Sequence, residues 1–301
     1  MNEIELRLWN QFAVLADELH FGRAAQRLFM TQPPLTQAIA QLEKRLAVRL
    51  FDRTKRSVQL TATGRALLPE VLDLLARAQA LPEHARAAAA GELGRLRLAF
   101  VSTVGFALLP QWVRGFRALY PKVQMELVEA TGDVQLEAFA RSEMDAGFML
   151  HAPGFAPLGL ARHVVSQEPL VLALPEQNPL AALPSLTLAA VLDQPLVIFP
   201  RRIVPSLYDA IFGVYHAAGC LPEVAQEAIQ MQTIVNLVSA GLGCAWVPQS
   251  VTQFQRPGVV YRSVLAGKRG AALPGCETSL VWSAADASPA LQRFVEFVQQ
   301  A

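Results

Sequence analysis

FGRAAQRLFMTQPPLTQAIAQLEKRLAVRLFDRTKRSVQLTATGR, residues 21–65, decides the architecture of this chain. Just upstream, Leu8, Phe12 and Leu15 recur at the interval that puts them on one face of a helix. Ala24, Ala25 and Leu28 do the same in a short second helix, and Phe29 and Met30 make a turn. Thr31 stands at an N-cap position, where its hydroxyl is expected to accept from a free backbone N–H. Pro33 falls in the first turn, where a missing N–H costs little. Leu35, Ile39, Leu42 and Leu46 form the buried stripe of the helix that follows. Its other face carries Gln32, Thr36, Gln37, Ala40 and Gln41. Short and amide side chains of this kind suit hydrogen bonds to base edges in a major groove. The second helix of such a pair enters the groove N-terminus first, which brings Gln32, Pro33 and Thr36 nearest the bases.

A hairpin is expected next. Val48, Leu50 and Phe51, then Val58 and Leu60, read as two short strands around residues 52–57. Arg53, Lys55 and Arg56 are three cations within four positions, suited to phosphates or to a minor groove. A basic tip by itself is more often merely solvated. Beside a helix-turn-helix, DNA contact is the expectation. Charge is partitioned to match: residues 1–65 hold ten Lys/Arg against six Asp/Glu, a net of +4, while the whole chain is +1 and residues 66–301 are therefore −3.

Thr61 is placed to cap a long helix from about Ala62. Leu67, Val71, Leu74, Ala78 and Leu81 recur at helical spacing, and so do Leu68, Leu72 and Leu75. So wide a stripe serves either dimerisation or packing on the chain's own winged helix, and dimerisation is the expectation. Pro69 and Pro82 interrupt it. Pro82 predicts a kink, or an early end and a restart through Glu83–Ala90. Residues 91–94, Gly-Glu-Leu-Gly, read as a hinge. From Arg95 onward strands alternate with helices, which implies an α/β unit with a largely parallel sheet.

Several classes are argued against. No apolar run reaches membrane-spanning length, and no basic leader precedes an apolar segment. Three widely spaced cysteines, Cys220, Cys244 and Cys276, suggest no disulfide framework, so a cytoplasmic protein is expected. The five histidines have no ligand spacing, and no HExxH, GxSxG or GxxxxGK[ST] occurs. No metal, no cofactor and no catalytic residue is therefore expected. The alternative to a regulator is an α/β small-molecule-processing enzyme with an appended helix-turn-helix.

The pieces FGRAA (21–25), TQPPL (31–35), QLE (41–43), RLFDR (49–53), VQLT (58–61) and Gly64 closely resemble, in order and spacing, the N-terminus of LysR-type transcriptional regulators. Leu109-Pro, Phe116-Arg, Tyr120-Pro, Asp145-Ala-Gly, Met231-Gln-Thr through Ala240-Gly-Leu-Gly, and Val247-Pro resemble the family's effector-binding half, most of all its branch concerned with aromatic compounds. Two departures stand out. Gln37 occupies a position where members often have Arg. Ala47 ends the recognition helix where Gly is usual, which predicts left-handed strain or an altered helix exit there.

The resemblance implies a winged helix-turn-helix over 1–61, a linker and dimerisation helix over 62–90, and an effector-binding domain over 91–301. That domain is expected to have a two-lobed, periplasmic-binding-protein-like α/β fold, with lobe I near 95–164 and 268–301 and lobe II near 165–267. The implied partners are double-stranded promoter DNA, a small-molecule effector such as an aromatic or unsaturated carboxylate, further copies of the chain in a tetramer built as a dimer of dimers, and RNA polymerase as a further candidate. Arg23, Thr31, Gln32, Pro33, Thr36, Gln37, Arg53, Lys55 and Arg56 make up the expected DNA-contacting set. The effector is expected at the carboxyl ends of strands. There Ser102, Thr103 and Thr131 begin helices, and Phe199, Pro200, Arg201, Arg202 and Ile203 offer an apolar wall and a cation. Gln232 and Thr233 are weaker candidates. Helix capping alone would also account for Ser102, Thr103 and Thr131, and a solvated loop for the two arginines.

Overall fold

The computed structural model describes residues 4–53, 57–106, 108–265 and 273–300. It divides into two compact units, one ending at Arg86 and one beginning at Ala87.

The first unit opens with helices α1 (Leu6–Glu18), α2 (Phe21–Arg27) and α3 (Gln32–Leu46). Phe12, Leu15, Ala24, Leu35, Ile39 and Leu42 are all fully enclosed in one core, so the helical spacing of the sequence becomes packing. Strands β1 (Phe51–Arg53) and β2 (Val58–Leu60) pair antiparallel, with Phe51 opposite Leu60 and Arg53 opposite Val58. Val48 is not part of the wing. Its N–H donates to the Glu43 carbonyl at 3.2 Å and closes the end of α3, while Ala47 takes the left-handed conformation at φ +56°. Helix α4 (Ala62–Ala89) runs without interruption through both Pro69 and Pro82, so of the two outcomes expected at Pro82 it does not end early and restart. Each proline removes one backbone bond, and the Ala-, Leu- and Arg-rich surroundings favour helix strongly enough to bridge it. Thr61 does cap this helix, accepting from the Gly64 N–H at 2.9 Å. Gly64 lets α4 touch the wing: a Cβ there would meet the Leu50 carbonyl oxygen at 2.3 Å.

The second unit contains β3 (Gly94–Phe100), α5 (Ser102–Gly105), α6 (Leu108–Leu119), β4 (Val123–Glu129), α7 (Gly132–Ala140), β5 (Ala146–His151) and the long β6 (Ala161–Pro175). After β6 come β7 (Ser185–Thr187), α8 (Leu188–Leu192), β8 (Leu196–Ile198), α9 (Pro205–Ala217), β9 (Val224–Glu227), α10 (Met231–Ser239), β10 (Ala245–Pro248), β11 (Val259–Leu265), β12 (Gly275–Trp282) and α11 (Pro289–Gln300). Two sub-cores result. One lies under β3, β4, β5 and β12, with Phe116, Phe148 and Phe294 at its centre. The other lies under β8, β10 and the second half of β6, with Leu172, Ile211, Tyr215 and Val235.

The sheet is mixed, not largely parallel. β3 pairs parallel with β4 and β5, and β11 with β7, but β12 runs antiparallel to both β5 and β6, and β10 and β11 run antiparallel to β6; β8 and β9 pair parallel in a separate two-stranded sheet. The physical reason is β6 itself. Residues 161–169 pair with β12 in lobe I, and residues 170–175 pair with β10 and β11 in lobe II, so one strand serves both lobes and opposes its neighbours in each. The return crossing includes residues 266–272, which lie outside the described residues. Among the described residues, no helix is long and apolar enough to cross a membrane.

Candidate functional site

The first surface of interest is the N-terminal end of α3. Thr31 occupies the N-cap position with extended backbone, but its hydroxyl makes no capping bond, a correction to the sequence reading. Thr31, Gln32, Pro33 and Gln37 are exposed. Thr36 donates back to the Gln32 carbonyl at 3.1 Å, so this hydroxyl faces outward only as an acceptor. His20 has a role the sequence did not disclose: its Nδ1 accepts from the Arg23 N–H at 3.2 Å and caps α2.

The cations are less free than their spacing suggests. Arg23 is ion-paired with Glu18 at 3.1 Å, and Arg27 is bonded to Asp17 and Glu18. Arg53 departs most from expectation. Its guanidinium donates to Glu43 at 2.7 Å and lies 5.1 Å from the centre of the Phe21 ring. The same Glu43 carboxylate accepts from the backbone N–H groups of Leu50 and Phe51 at 2.9 and 3.1 Å. Arg53 therefore binds the wing to α2 and α3 and does not stand as an open phosphate clamp. Lys55 and Arg56 lie outside the described residues.

The second surface is a partly open cleft between the two lobes, with about 430 Å³ of space when the solvent at its mouth is included. Lobe I contributes Val101, Ser102 and Thr103 after β3, Ala130 and Thr131 after β4, and Leu150 on β5. Lobe II contributes Phe199 after β8, Ile203 and Val204 before α9, Ile229 and Gln230 before α10, and Met231 at its first position. Five of the eight expected residues are thus brought together. Pro200, Arg201 and Arg202 are not among them. Arg201 is turned to solvent and clamps Asp209 through two bonds of 2.7 and 2.6 Å, and Arg202 is exposed. That pairing raises the Arg201 pKa and lowers the Asp209 pKa, each through the side-chain hydrogen bond first. The α10 contribution comes from Gln230 and Met231, just before the expected Gln232 and Thr233, because the helix begins earlier than its apolar periodicity implied.

Helices α5, α7 and α10 all begin at this cleft, and none has a side-chain cap. Helix starts leave backbone N–H groups without an intrahelical partner, and among the described residues no cation lines the cleft. The Thr131 hydroxyl is occupied by Asp133. Thr103 is different: it is only 6% exposed, and its Oγ1 has no hydrogen-bond partner. A buried hydroxyl without a partner is costly, and a ligand group in the cleft would satisfy it. Beneath the cleft, Gln135 Nε2 donates to the Ala130 and Phe148 carbonyls at 2.9 and 3.2 Å. It ties together the ends of the strands that carry the lining. Gly147 makes room for it, since a Cβ there would sit 2.2 Å from Gln135 Oε1.

One constellation imitates a catalytic triad. His151 Nε2 lies 2.9 Å from Ser279 Oγ, and Nδ1 lies 3.8 Å from Glu277 Oε2. Nδ1 is bonded instead to the Ala152 carbonyl at 2.8 Å, and Ser279 is 0% exposed, so no substrate reaches its hydroxyl. Burial raises the pKa of Cys244 to about 12 and pushes Cys276 up as well, which leaves both as unreactive thiols.

Two family models match the chain: a bacterial regulatory helix-turn-helix protein of the lysR family over residues 6–65, and a LysR substrate binding domain over residues 89–301. The chain is 45% identical to the HTH-type transcriptional regulator IlvR of Caulobacter vibrioides over 99% of its length and 98% of that protein. It is 38% identical to the HTH-type transcriptional regulator AlsR of Bacillus subtilis, covering 87% and 86% of the two chains. Its structure is similar to that of full-length CbnR in complex with target DNA, with a TM-score of 0.77, 28% identity and 99% of both chains covered.

Proposed function

Because the chain belongs to the LysR family of DNA-binding transcriptional regulators, we propose that its inter-lobe cleft takes a small carboxylate with an apolar body, aromatic or unsaturated, and that this occupancy changes how the helix-turn-helix units engage promoter DNA. The observation that carries the reading is the buried, unpartnered Thr103 hydroxyl at the mouth of α5. Around it, the uncapped starts of α7 and α10 favour negative charge, and Phe199, Ile203, Leu150 and Met231 favour an apolar body. Ser102, Thr103, Thr131, Phe199 and Ile203 are the proposed effector contacts. Thr31, Gln32, Pro33, Thr36 and Gln37 are the proposed base-side contacts, with Arg23, Lys55 and Arg56 toward the backbone.

Residues 1–61 serve as the DNA reader, 62–90 as the dimerisation helix and 91–301 as the effector domain. The protein acts in the cytoplasm, as a dimer of dimers that also meets RNA polymerase. An effector acts allosterically only through a difference in affinity between two subunit arrangements. The test is a thermal-shift screen of the full chain against aromatic, unsaturated and dicarboxylic acids, repeated with Thr103→Val. A stabilising acid whose effect disappears in Thr103→Val supports the reading. A stabilising acid that acts equally on both chains places the effector elsewhere.

A further inference from the structure

Helix α2 closes with two paired bonds: the Met30 N–H donates to the Ala25 carbonyl at 2.9 Å, and the Phe29 N–H donates to the Gln26 carbonyl at 3.0 Å. This cap requires a left-handed residue at Phe29, whose φ is +55°. Glycine is the usual occupant of such a position, and a side chain there crowds its own backbone. Among the described residues, the other non-glycine residues with positive φ are Ala47 and Ser142, which are small, and Leu19, which is 43% exposed. Phe29 is both bulky and 98% exposed, so no intramolecular packing offsets its strain. A backbone outlier of this kind motivates a search for function at its position.

The ring stands on the turn that leads directly into α3, three positions before Gln32, and Thr31, Gln32 and Pro33 are exposed along the same stretch. It is thus continuous with the surface that a helix-turn-helix presents to DNA, at the end of the helix that enters the groove. We propose that Phe29 is an apolar DNA-contacting residue, seated on a thymine 5-methyl group or on the sugar beside it, and that it contributes to sequence preference. A phenyl ring against a thymine methyl is one of the recurrent apolar base contacts. The contact involves no charge, so it releases no counterions.

The test begins with selection of a binding duplex from a random-core library by the full-length wild-type chain. Phe29→Gly should bind that duplex about fivefold to tenfold more weakly, the effect of uncovering roughly half a phenyl ring. Its Tm should equal or exceed that of the wild type, since glycine relieves the left-handed strain, and the slope of log K against log salt should be unchanged. Phe29→Leu should recover most of the affinity. Deoxyuridine is then placed at each thymine in turn. A single position that weakens the wild type and leaves Phe29→Gly indifferent identifies the methyl contact. If no position does so while Phe29→Gly still binds weakly, the ring rests on a sugar. Equal affinities of wild type and Phe29→Gly overturn the proposal, and a loss of polymerase-dependent transcription alongside them assigns the ring to a protein partner. A lowered Tm with a parallel loss on unrelated DNA also overturns it, because the ring is then structural.

Discussion

Arg53 donates to the carboxylate of Glu43 across 2.7 Å, joining the first wing strand to the recognition helix. Glu43 also holds the Leu50 and Phe51 N–H groups, so one partly buried carboxylate serves three donors. Glu43→Ala should therefore lower the unfolding free energy of the DNA-binding unit by about 2 kcal/mol, through two unpaired backbone donors and a lost charge-assisted bond. Chemical denaturation of the full chain, followed by a probe in that unit, measures this. Arg53→Ala should weaken DNA binding by misplacing the wing while changing the salt slope by less than about one counterion, because its charge is already matched by Glu43. A slope reduced by a full unit would mean that Arg53 leaves Glu43 for a phosphate on binding.

Thr103→Val exchanges an orphaned buried hydroxyl for a methyl group of the same shape. The unliganded protein should gain up to about 1 kcal/mol of stability. The effector-induced Tm shift should fall to zero, and operator affinity without effector should remain unchanged. Arg201→Ala serves as the control. Its ion pair with Asp209 is solvent-exposed and outside the cleft, so both the Tm and the effector response should match the wild type.

Helix α4 buries Val71 against the N-terminal core, with Leu67, Leu68 and Leu75 partly covered, and leaves Leu72 at 51% exposure and Leu74 and Leu81 open. Part of the apolar stripe thus packs on its own winged helix, and the remainder is exposed. Leu72→Glu should weaken dimerisation by about a hundredfold or more, because two copies would place two unpaired carboxylates in one apolar seam. Sedimentation at micromolar concentration reads this out. Unchanged oligomers would move the interface off α4.

Glu277 holds the Gly154 N–H at 3.0 Å, and this bond, ahead of every other influence, keeps its carboxyl below the ordinary carboxylate range of about 4.3. A carboxylate whose folded pKa is lowered stabilises the fold above its unfolded pKa, and loses that stabilisation as pH falls through the folded one. Wild-type stability should accordingly drop more steeply below about pH 4.3 than that of Glu277→Gln, with the two curves converging in stronger acid. Parallel curves from pH 7 to 3 would show that ionisation of Glu277 contributes nothing to acid stability.

The helix-turn-helix and the long helix were legible because their signals are local. A 3.6-residue period, a proline in a first turn and the Thr61 cap act within a few positions; most of the side chains they pick out on α1 to α3 are enclosed, whereas on α4 only Val71 is. The α/β alternation was legible for the same reason. Strand β9 was not, since it is exposed throughout, and the start of β6 before Val164 alternates only weakly.

Sequence alone determined the order of the helices, the basic hairpin, and the hydroxyls that open α5 and α7. Tertiary structure alone decided what those side chains do. Arg53 was read as an open cation until Glu43 and Phe21 were brought to it from ten and thirty-two positions away. From sequence, Arg201 is a candidate cation for the cleft or a solvated loop residue, and the fold pairs it with Asp209 in solvent. The cleft itself joins segments near 102, 131, 150, 203 and 230. Periodicity reports a residue's burial against its own neighbours in the chain, whereas a charge or hydroxyl takes its role from whichever partner the fold delivers within about 3 Å.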